Sequence, residues 1–346
     1  MKNDAMMKQT AVLAALFAAV SVSVMLLRLT TRTVLVADAA QNTAESQQMA
    51  EAYDLTMAKP AAGADLNTLV IPLPEHVNAD DIVMENHYMT RQLWVYIDGS
   101  GNYYQQHALV SGLSQITGGR CIPQGTGDGR VCLHIQLSGL YEYQSELTEK
   151  SITVRFQTPH EVYQKVVVID PAGGGTQSDN SASGLKGQDI TLAIAQKVNT
   201  LMQDPDTKIY FTRMDESNPK ASVRAQLAED AGADMLIGIT ADGGGQGLGG
   251  IRSFYNDRFF IRGFGNADMA VQLERDCAYT TGRKAEAVQA AGDTYELLKA
   301  SKVPSAVVSV GNPDDAQDAA DLENRDYLDS IAQGIVQAIH YGGQKQ

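Results

Sequence analysis

Cysteine is scarce: three residues in 346, at Cys121, Cys132 and Cys277. An odd and small number excludes a disulfide framework, which a chain of this length does not need. Two readings stay open for the nearest pair. Either Cys121 and Cys132 bridge neighbouring strands in an oxidising compartment, or all three cysteines pack as small apolar side chains. Histidine is also sparse. His76, His87, His107, His134, His160 and His340 include no pair at a short metal-binding spacing such as His-x-x-x-His. Positive charge is in deficit, with 27 Lys and Arg against 41 Asp and Glu for a net charge of −14. That excludes nucleic acid as a partner, because phosphate binding needs a basic surface. The acidic excess otherwise confers solubility and names no partner. What remains is a globular composition, 44% hydrophobic and 20% charged, long enough for two domains.

The N-terminus bears on the compartment. Lys2 and Lys8 precede an apolar run, Ala11–Leu27, which Arg28 and Arg32 follow. A positive segment before one apolar stretch reads as an export signal. At seventeen residues the run is short for a membrane span and long for a cleaved signal core. Ala37-Asp38-Ala39 has the small-x-small form of a cleavage site but stands well past the run. We read residues 1–30 as an uncleaved membrane anchor with the body outside the cytoplasm. Residues 31–66 are Ala-, Gln- and Glu-rich and read as a linker, with a helical piece around Ala44–Met57.

Residues 67–160 alternate with period two. Leu93, Val95 and Ile97 interleave with Trp94, Tyr96 and Asp98, and Val131, Leu133 and Ile135 with Cys132, His134 and Gln136. Such runs, separated by Gly-rich turns, predict a small all-β domain. Trp94, Tyr96, Tyr103 and Tyr104 could line a glycan-binding face, although tyrosines on strands are more often half-buried sheet residues. Beyond residue 163 the pattern changes. Val166–Ile169 is a continuous apolar run, as in a strand buried on both faces. Strands are expected at 208–212, 234–239, 251–255 and 305–310. Helices are expected at 189–202, 221–231, 266–279 and 327–341. This alternation predicts an α/β domain over 163–346, with a mostly parallel sheet flanked by helices. Ligands of such sheets sit beyond the carboxyl ends of the strands.

The strand-end motifs carry a resemblance. Val167-Val168-Ile169-Asp170-Pro171-Ala172-Gly173-Gly174-Gly175 is similar to the Ile-Asp-Pro-Gly-His-Gly-Gly opening of the zinc-dependent N-acetylmuramoyl-L-alanine amidases. These enzymes cut the lactyl amide between glycan and stem peptide in peptidoglycan. Asp189-Ile190-Thr191-Leu192, Thr212-Arg213, Arg224, Gly232-Ala233-Asp234, Gly238-Ile239-Thr240-Ala241-Asp242 and Pro304-Ser305-Ala306-Val307-Val308 also match the family's pattern in order. The resemblance covers about residues 163–342 and implies an amidase-like fold. The β domain stands where many such amidases carry a wall-binding accessory domain.

The departures fall on the residues that do the chemistry. The resemblance places the three zinc ligands at Gly173, Gly187 and Thr240 and the catalytic glutamate at Ser309. A catalytic zinc takes three ligands from His, Cys, Asp and Glu. The resemblance therefore implies a degenerate site without metal or cofactor, with no catalytic residue intact. Without zinc the attacking water keeps its bulk pKa, and Ser309 cannot act as general base. Loss of bulk predicts a wider, less polar cleft in which Gly174, Gly175, Thr240, Asp242, Arg252 and Ser309 are the candidate substrate-binding residues. Joint replacement by Gly173→His, Gly187→Glu, Thr240→His and Ser309→Glu is expected to regain zinc if the frame is retained.

Other chemistries are weaker. Gly173–Gly175 lacks the Lys-Ser/Thr of a P-loop. Asp242 with Asp179 or Asp189 matches no metal template. Ser309 has no histidine base in range, and Lys186 is the one lysine placed near these loops. The expected function is a cell-surface pseudo-amidase that binds peptidoglycan or its stem peptide, or regulates an active hydrolase or other envelope protein. The alternatives are an active wall hydrolase with a rebuilt site, and a structural component of an envelope complex.

Overall fold

The computed structural model describes residues 33–39, 52–63, 65–75, 77–98, 101–124, 129–174, 181, 183–242, 249–258 and 265–342. The expected anchor, Ala11–Leu27, lies outside the described residues. Among those described, no helix is long and apolar enough to cross a membrane.

Two sheets form the first half. The strands are β1 (Val36–Asp38), β2 (Tyr53–Asp54), β3 (Met57–Ala58), β4 (Thr68–Pro72), β5 (Ile82–His87), β6 (Gln92–Ile97), β7 (Leu109–Ser111), β8 (Ile116–Pro123), β9 (Val131–Leu137), β10 (Glu142–Leu147) and β11 (Ser151–Gln157). One sheet has the order β1-β5-β6-β9-β8-β2 and the other β10-β11-β4-β7-β3. Strand alternation sends Met84, Leu93, Val95, Leu133 and Ile135 of the first sheet against Leu69, Ile71, Leu109, Ile152 and Val154 of the second, in one apolar core.

The expected linker is corrected here. β1 pairs in parallel with β5 and β3 in parallel with β7, while β2 pairs antiparallel with β8, so parts of 33–58 belong to the sheets. The described part of the expected helix around Ala44–Met57 holds β2 and the start of β3 in place of helix. Short strands whose partners lie tens of residues away leave little local periodicity to read.

Opposite faces also settle the cysteine question. Ile122 is the register partner of Cys132, so Cys121 and Cys132 point to opposite sides of the sheet, and no disulfide joins them. Tyr103 and Tyr104 lie on the short helix α1 (Tyr103–Gln106) rather than a strand, with hydroxyls donated to Leu73 O and Pro72 O. Trp94 is buried, stacked between the rings of His87 (3.7 Å) and His134 (4.0 Å). None of the three presents a glycan platform.

His134 gives the sandwich a pH dependence. Burial, then the neighbouring His87 and Arg120, hold its pKa down to about 4. An unfolded histidine titrates near 6.5, so His134 contributes stability above that pH and loses it as pH falls from about 6.5 to about 4. Melting the wild type and His134→Gln at pH 7 and pH 4.5 should show an extra acid-induced drop of roughly 2–5 °C in the wild type. Equal drops in the two proteins would remove His134 from the account.

The second half follows α2 (Pro159–Val162). It comprises β12 (Lys165–Pro171), α3 (Gly187–Leu201), β13 (Thr207–Phe211), α4 (Ala221–Asp230), β14 (Met235–Thr240), β15 (Ile251–Tyr255), α5 (Asn266–Thr281), β16 (Ala285–Ala290), α6 (Glu296–Ala300), β17 (Ser305–Ser309), α7 (Ala316–Leu322) and α8 (Arg325–Tyr341). The sheet order is β13-β12-β14-β17-β15-β16. β13, β12, β14 and β17 run parallel, whereas β15 is antiparallel to β17 and β16 parallel to β15. The sheet is therefore mixed, more so than the strand–helix alternation predicts. β16 escaped the sequence reading because Ala-Glu-Ala-Val-Gln-Ala is poor in β-formers and lies on an edge. One face of the sheet packs Val167, Ile169, Ile237, Ile239 and Val308 against α3, α5 and α8. The other packs Val166, Val168 and Leu236 against α4.

The two halves share core. Tyr88 and Leu140 of the sandwich are buried with Val166, Val168, Tyr210 and Ala228. The Tyr88 hydroxyl donates to Phe211 O at 2.9 Å and accepts from Phe211 N at 3.3 Å. Beside it, Lys208 Nζ lies 2.7 Å from an Asp38 oxygen and 3.2 Å from Glu142 Oε1, which also accepts from the Tyr210 hydroxyl.

Candidate functional site

The carboxyl ends of β12, β14 and β17 lie side by side. Pro171 is the register partner of Ile239, and Thr240 that of Ser309. Ala172 N donates to Ile239 O, and Val310 N to Thr240 O, each at 2.9 Å. The fold also brings Gly173 and Gly187 here. A Cβ on Gly173 would lie 2.8 Å from Gln188 Cβ, and one on Gly187 would lie 3.1 Å from Ala241 O. Gly173, Gly187, Thr240 and Ser309, far apart in the chain, thus meet at one strand-end site.

The loop after β12 is held by two buried arginines. Arg224, on α4, donates to Asp170 Oδ1 (2.8 Å), Gly173 O (2.9 Å), Pro219 O (2.7 Å) and Asn218 Oδ1 (2.6 Å). Arg213 follows β13 and donates to Pro171 O (2.8 Å), Ala172 O (3.0 Å), Gln188 O (2.9 Å) and Asp215 O (2.8 Å). Thr212 donates its hydroxyl to Asp170 Oδ1. Asp170 thus anchors the loop from within, its Oδ1 accepting from both Thr212 and Arg224. Burial, then repulsion from Arg224, lowers the Arg213 pKa from its usual value, yet an arginine remains charged throughout the accessible range.

The glycines fit this anchored loop closely. Gly173 has φ +90° and Gly174 has φ +107°, a region that side chains disfavour. A Cβ on Gly174 would stand 2.1 Å from Ser217 O. Among the described residues, the two hydroxyl positions at the strand ends do not line the wider cleft expected from loss of bulk. Thr240 is 5% exposed and Ser309 0%. Gln188 and main chain of Ser217 and Ala241 lie close against the glycines. The Ser309 Oγ is buried and has no hydrogen-bond partner among the described residues.

The remaining candidates divide. Arg252 is the register partner of Ser309 on β15, with its Nε donating to Gly249 O at 3.0 Å. Asp242 is exposed and accepts from the Tyr295 hydroxyl at 3.4 Å; burial, then this carboxylate, push the Tyr295 pKa up. Asp189 is exposed in the first turn of α3, and Lys186 stands exposed just before it. Gly175 and Asp179 lie outside the described residues. Sequence reasoning missed Gln188, which occupies the space beside Gly173, and Asp318. The Asp318 carboxylate accepts from Gly250 N (2.7 Å), Asn312 N (2.9 Å) and Arg283 (2.9 Å), tying two loops at this end of the sheet. No local pattern marks either residue, because their partners are remote in sequence.

A zinc ion does not fit this donor set. Two of the three positions lack a side chain and the third offers a neutral hydroxyl. Among the described residues no three His, Cys, Asp or Glu side chains come together as a metal site.

Comparison with known proteins gives consistent matches over the second half. The family described as N-acetylmuramoyl-L-alanine amidase matches residues 167–341. The N-acetylmuramoyl-L-alanine amidase LytC of Bacillus subtilis is 26% identical over 186 residues, 54% of this chain and 37% of that protein. The N-acetylmuramoyl-L-alanine amidase CwlM of Mycobacterium tuberculosis is 25% identical over 182 residues, 51% of this chain and 44% of that protein. The match therefore spans less than half the length of either relative. Among solved structures, the N-acetylmuramoyl-L-alanine amidase from Clostridium difficile 630 is 25% identical, with a TM-score of 0.47, covering 53% of this chain and 98% of that one.

Proposed function

Because the chain belongs to the N-acetylmuramoyl-L-alanine amidase family, we propose that it acts at the cell surface as a non-hydrolysing member. On this reading it binds peptidoglycan stem peptide, or a protein of the wall-remodelling machinery, at the site a working amidase uses for catalysis. The observation that carries the proposal is the meeting of Gly173, Gly187, Thr240 and Ser309 inside a frame in which Asp170, Thr212, Arg213 and Arg224 are joined by hydrogen bonds to one another or to the loop after β12. A frame kept without its ligands and its base supports selection for shape over turnover. Hydrolysis of an amide needs an activated water and a general base, and neither Thr240 nor Ser309 supplies one.

The groups open to a ligand are at the rim. Gly173 and Gly187 offer main chain, while Gln188, Asp189, Asp242 and Arg252 offer side-chain hydrogen bonds and charge of both signs. Thr240 and Ser309 are too buried to contribute as the sequence reading supposed.

The test uses the two halves together, since they share core. Purified protein is incubated with sacculi, with and without excess chelator, and three quantities are measured: sedimentation with the sacculi, release of stem peptides, and zinc by elemental analysis. The expected result is co-sedimentation, no released peptide, less than one-tenth equivalent of zinc, and a melting temperature that chelator leaves unchanged. A site that held zinc in the native state alone would add its binding energy to folding, so chelator would lower the melting temperature. Released stem peptides would overturn the proposal. Absence of both binding and release would shift it to the protein-partner form.

A further inference from the structure

We propose that β1 is a clip joining the chain's N-terminal side to both halves of the body, so that Ala37-Asp38-Ala39 is not a processing site and the mature protein retains residue 33 onward. Ala37-Asp38-Ala39 has the small residues a signal peptidase prefers, and cleavage there would release everything before residue 40. Export cleavage precedes folding, so accessibility in the folded state decides nothing. What decides is how much of the fold those residues supply.

They supply a good deal. Val36, Ala37 and Asp38 pair in parallel with Met84, Glu85 and Asn86, and Ala39 N donates to Asn86 O at 2.9 Å. Val34 is buried in the sandwich core. Its N–H donates to the Ser145 hydroxyl at 2.9 Å, and that hydroxyl donates to Val34 O at 2.6 Å. Ser145 is itself 5% exposed, so without Val34 a buried hydroxyl is left with neither contact. Asp38 reaches across the joint to Lys208 of the α/β half. Removal of residues up to 39 would leave β5 as an edge strand paired only with β6, open the core at Val34 and take one carboxylate from the joint.

The charges show which of these losses matters. Asp38 and Glu142 both approach the single ammonium of Lys208. Without Asp38, Lys208 still has Glu142, and the buried pair is balanced. The clip therefore rests on Val34 and the β1–β5 ladder more than on the ion pair. This separates the consequences of substitutions within a few residues of one another. Val34→Asp places a charge in the core. Leu35→Asp places it at a position 88% exposed. Asp38→Asn leaves Lys208 with one carboxylate.

The experiment has two arms in the full chain. Protein from the envelope fraction is N-terminally sequenced, and the three variants are melted beside the wild type. The expected N-terminus lies at or before residue 33. Val34→Asp should lower the melting temperature by roughly 5–10 °C or prevent accumulation, while Leu35→Asp and Asp38→Asn stay within about 2 °C. If Val34→Asp does not accumulate, Val34→Ala should still melt measurably below Leu35→Ala. A mature N-terminus at residue 40, or equal melting of the Val34 and Leu35 variants, overturns the proposal.

Discussion

Methionine in place of Arg224 should cost about 3–5 kcal/mol of stability, the range for breaking a buried ion pair from one side. The Arg224 and Asp170 side chains are 7% and 5% exposed, so the lone carboxylate has little water to turn to. Thr212 would remain as one donor. Three acceptors that the guanidinium serves, Pro219 O, Gly173 O and Asn218 Oδ1, would lose it together. Methionine keeps most of the volume, so the loss reads the charge and hydrogen bonds rather than a cavity. Denaturant midpoints measure it, and the double variant Arg224→Met/Asp170→Asn should recover part of the loss because the uncompensated charge is gone. A single variant within about 1 kcal/mol of wild type would show that the loop after β12 is not held in the way described.

The second large effect concerns the four family positions. Gly173→His, Gly187→Glu, Thr240→His and Ser309→Glu together restore the ligand types and the base, and motif matching alone predicts that zinc returns. The structure reverses this expectation. At φ +90° a histidine at 173 is strained by about 1–3 kcal/mol, and its Cβ would also stand 2.8 Å from Gln188 Cβ. The loop cannot swing aside without releasing Arg213 and Arg224. Ser309 is 0% exposed, and glutamate there adds bulk and charge to a filled space. The fourfold variant should therefore bind less than one-tenth equivalent of zinc and melt at least about 5 °C below wild type. Gly174→Ala gives the yardstick, since its Cβ would meet Ser217 O at 2.1 Å. It should cost at least as much as Gly173→His. One equivalent of zinc in the fourfold variant, with stability regained, would show that the site is merely vacated and not refilled.

What the sequence made legible was the frame. Asp170, Thr212-Arg213 and Arg224 stand in short ordered motifs beside strands whose apolar runs are continuous, so motif and element could be read together. The convergence of Gly173, Gly187, Thr240 and Ser309 was implied by the resemblance to the family, which places its site at the strand ends. Three things were not legible. Strands β1, β2 and β3 are two or three residues long and paired with remote partners, so their segment resembled a linker. β16 is built from alanine and polar residues, which carry little strand preference. The closure of the site depends on how near Gln188 comes to Gly173, a tertiary distance that no residue type encodes. Substitution to a smaller residue suggested a cavity, whereas a Cβ at Gly173 or Gly174 would already crowd Gln188 or Ser217 O.

The stacking of Trp94 between two imidazoles has a spectroscopic consequence. It is the only tryptophan in the chain, so indole fluorescence comes from one place, on the sheet that contains β6 and β9. A cationic imidazole in face contact with an excited indole accepts an electron and quenches its emission, whereas a neutral one is a much poorer acceptor. The protein thus carries a built-in optical gauge of charge at His134, whose ring lies 4.0 Å from the emitter. Emission intensity followed against pH in the unmodified chain reads that local charge directly, without a label and without waiting for the fold to melt.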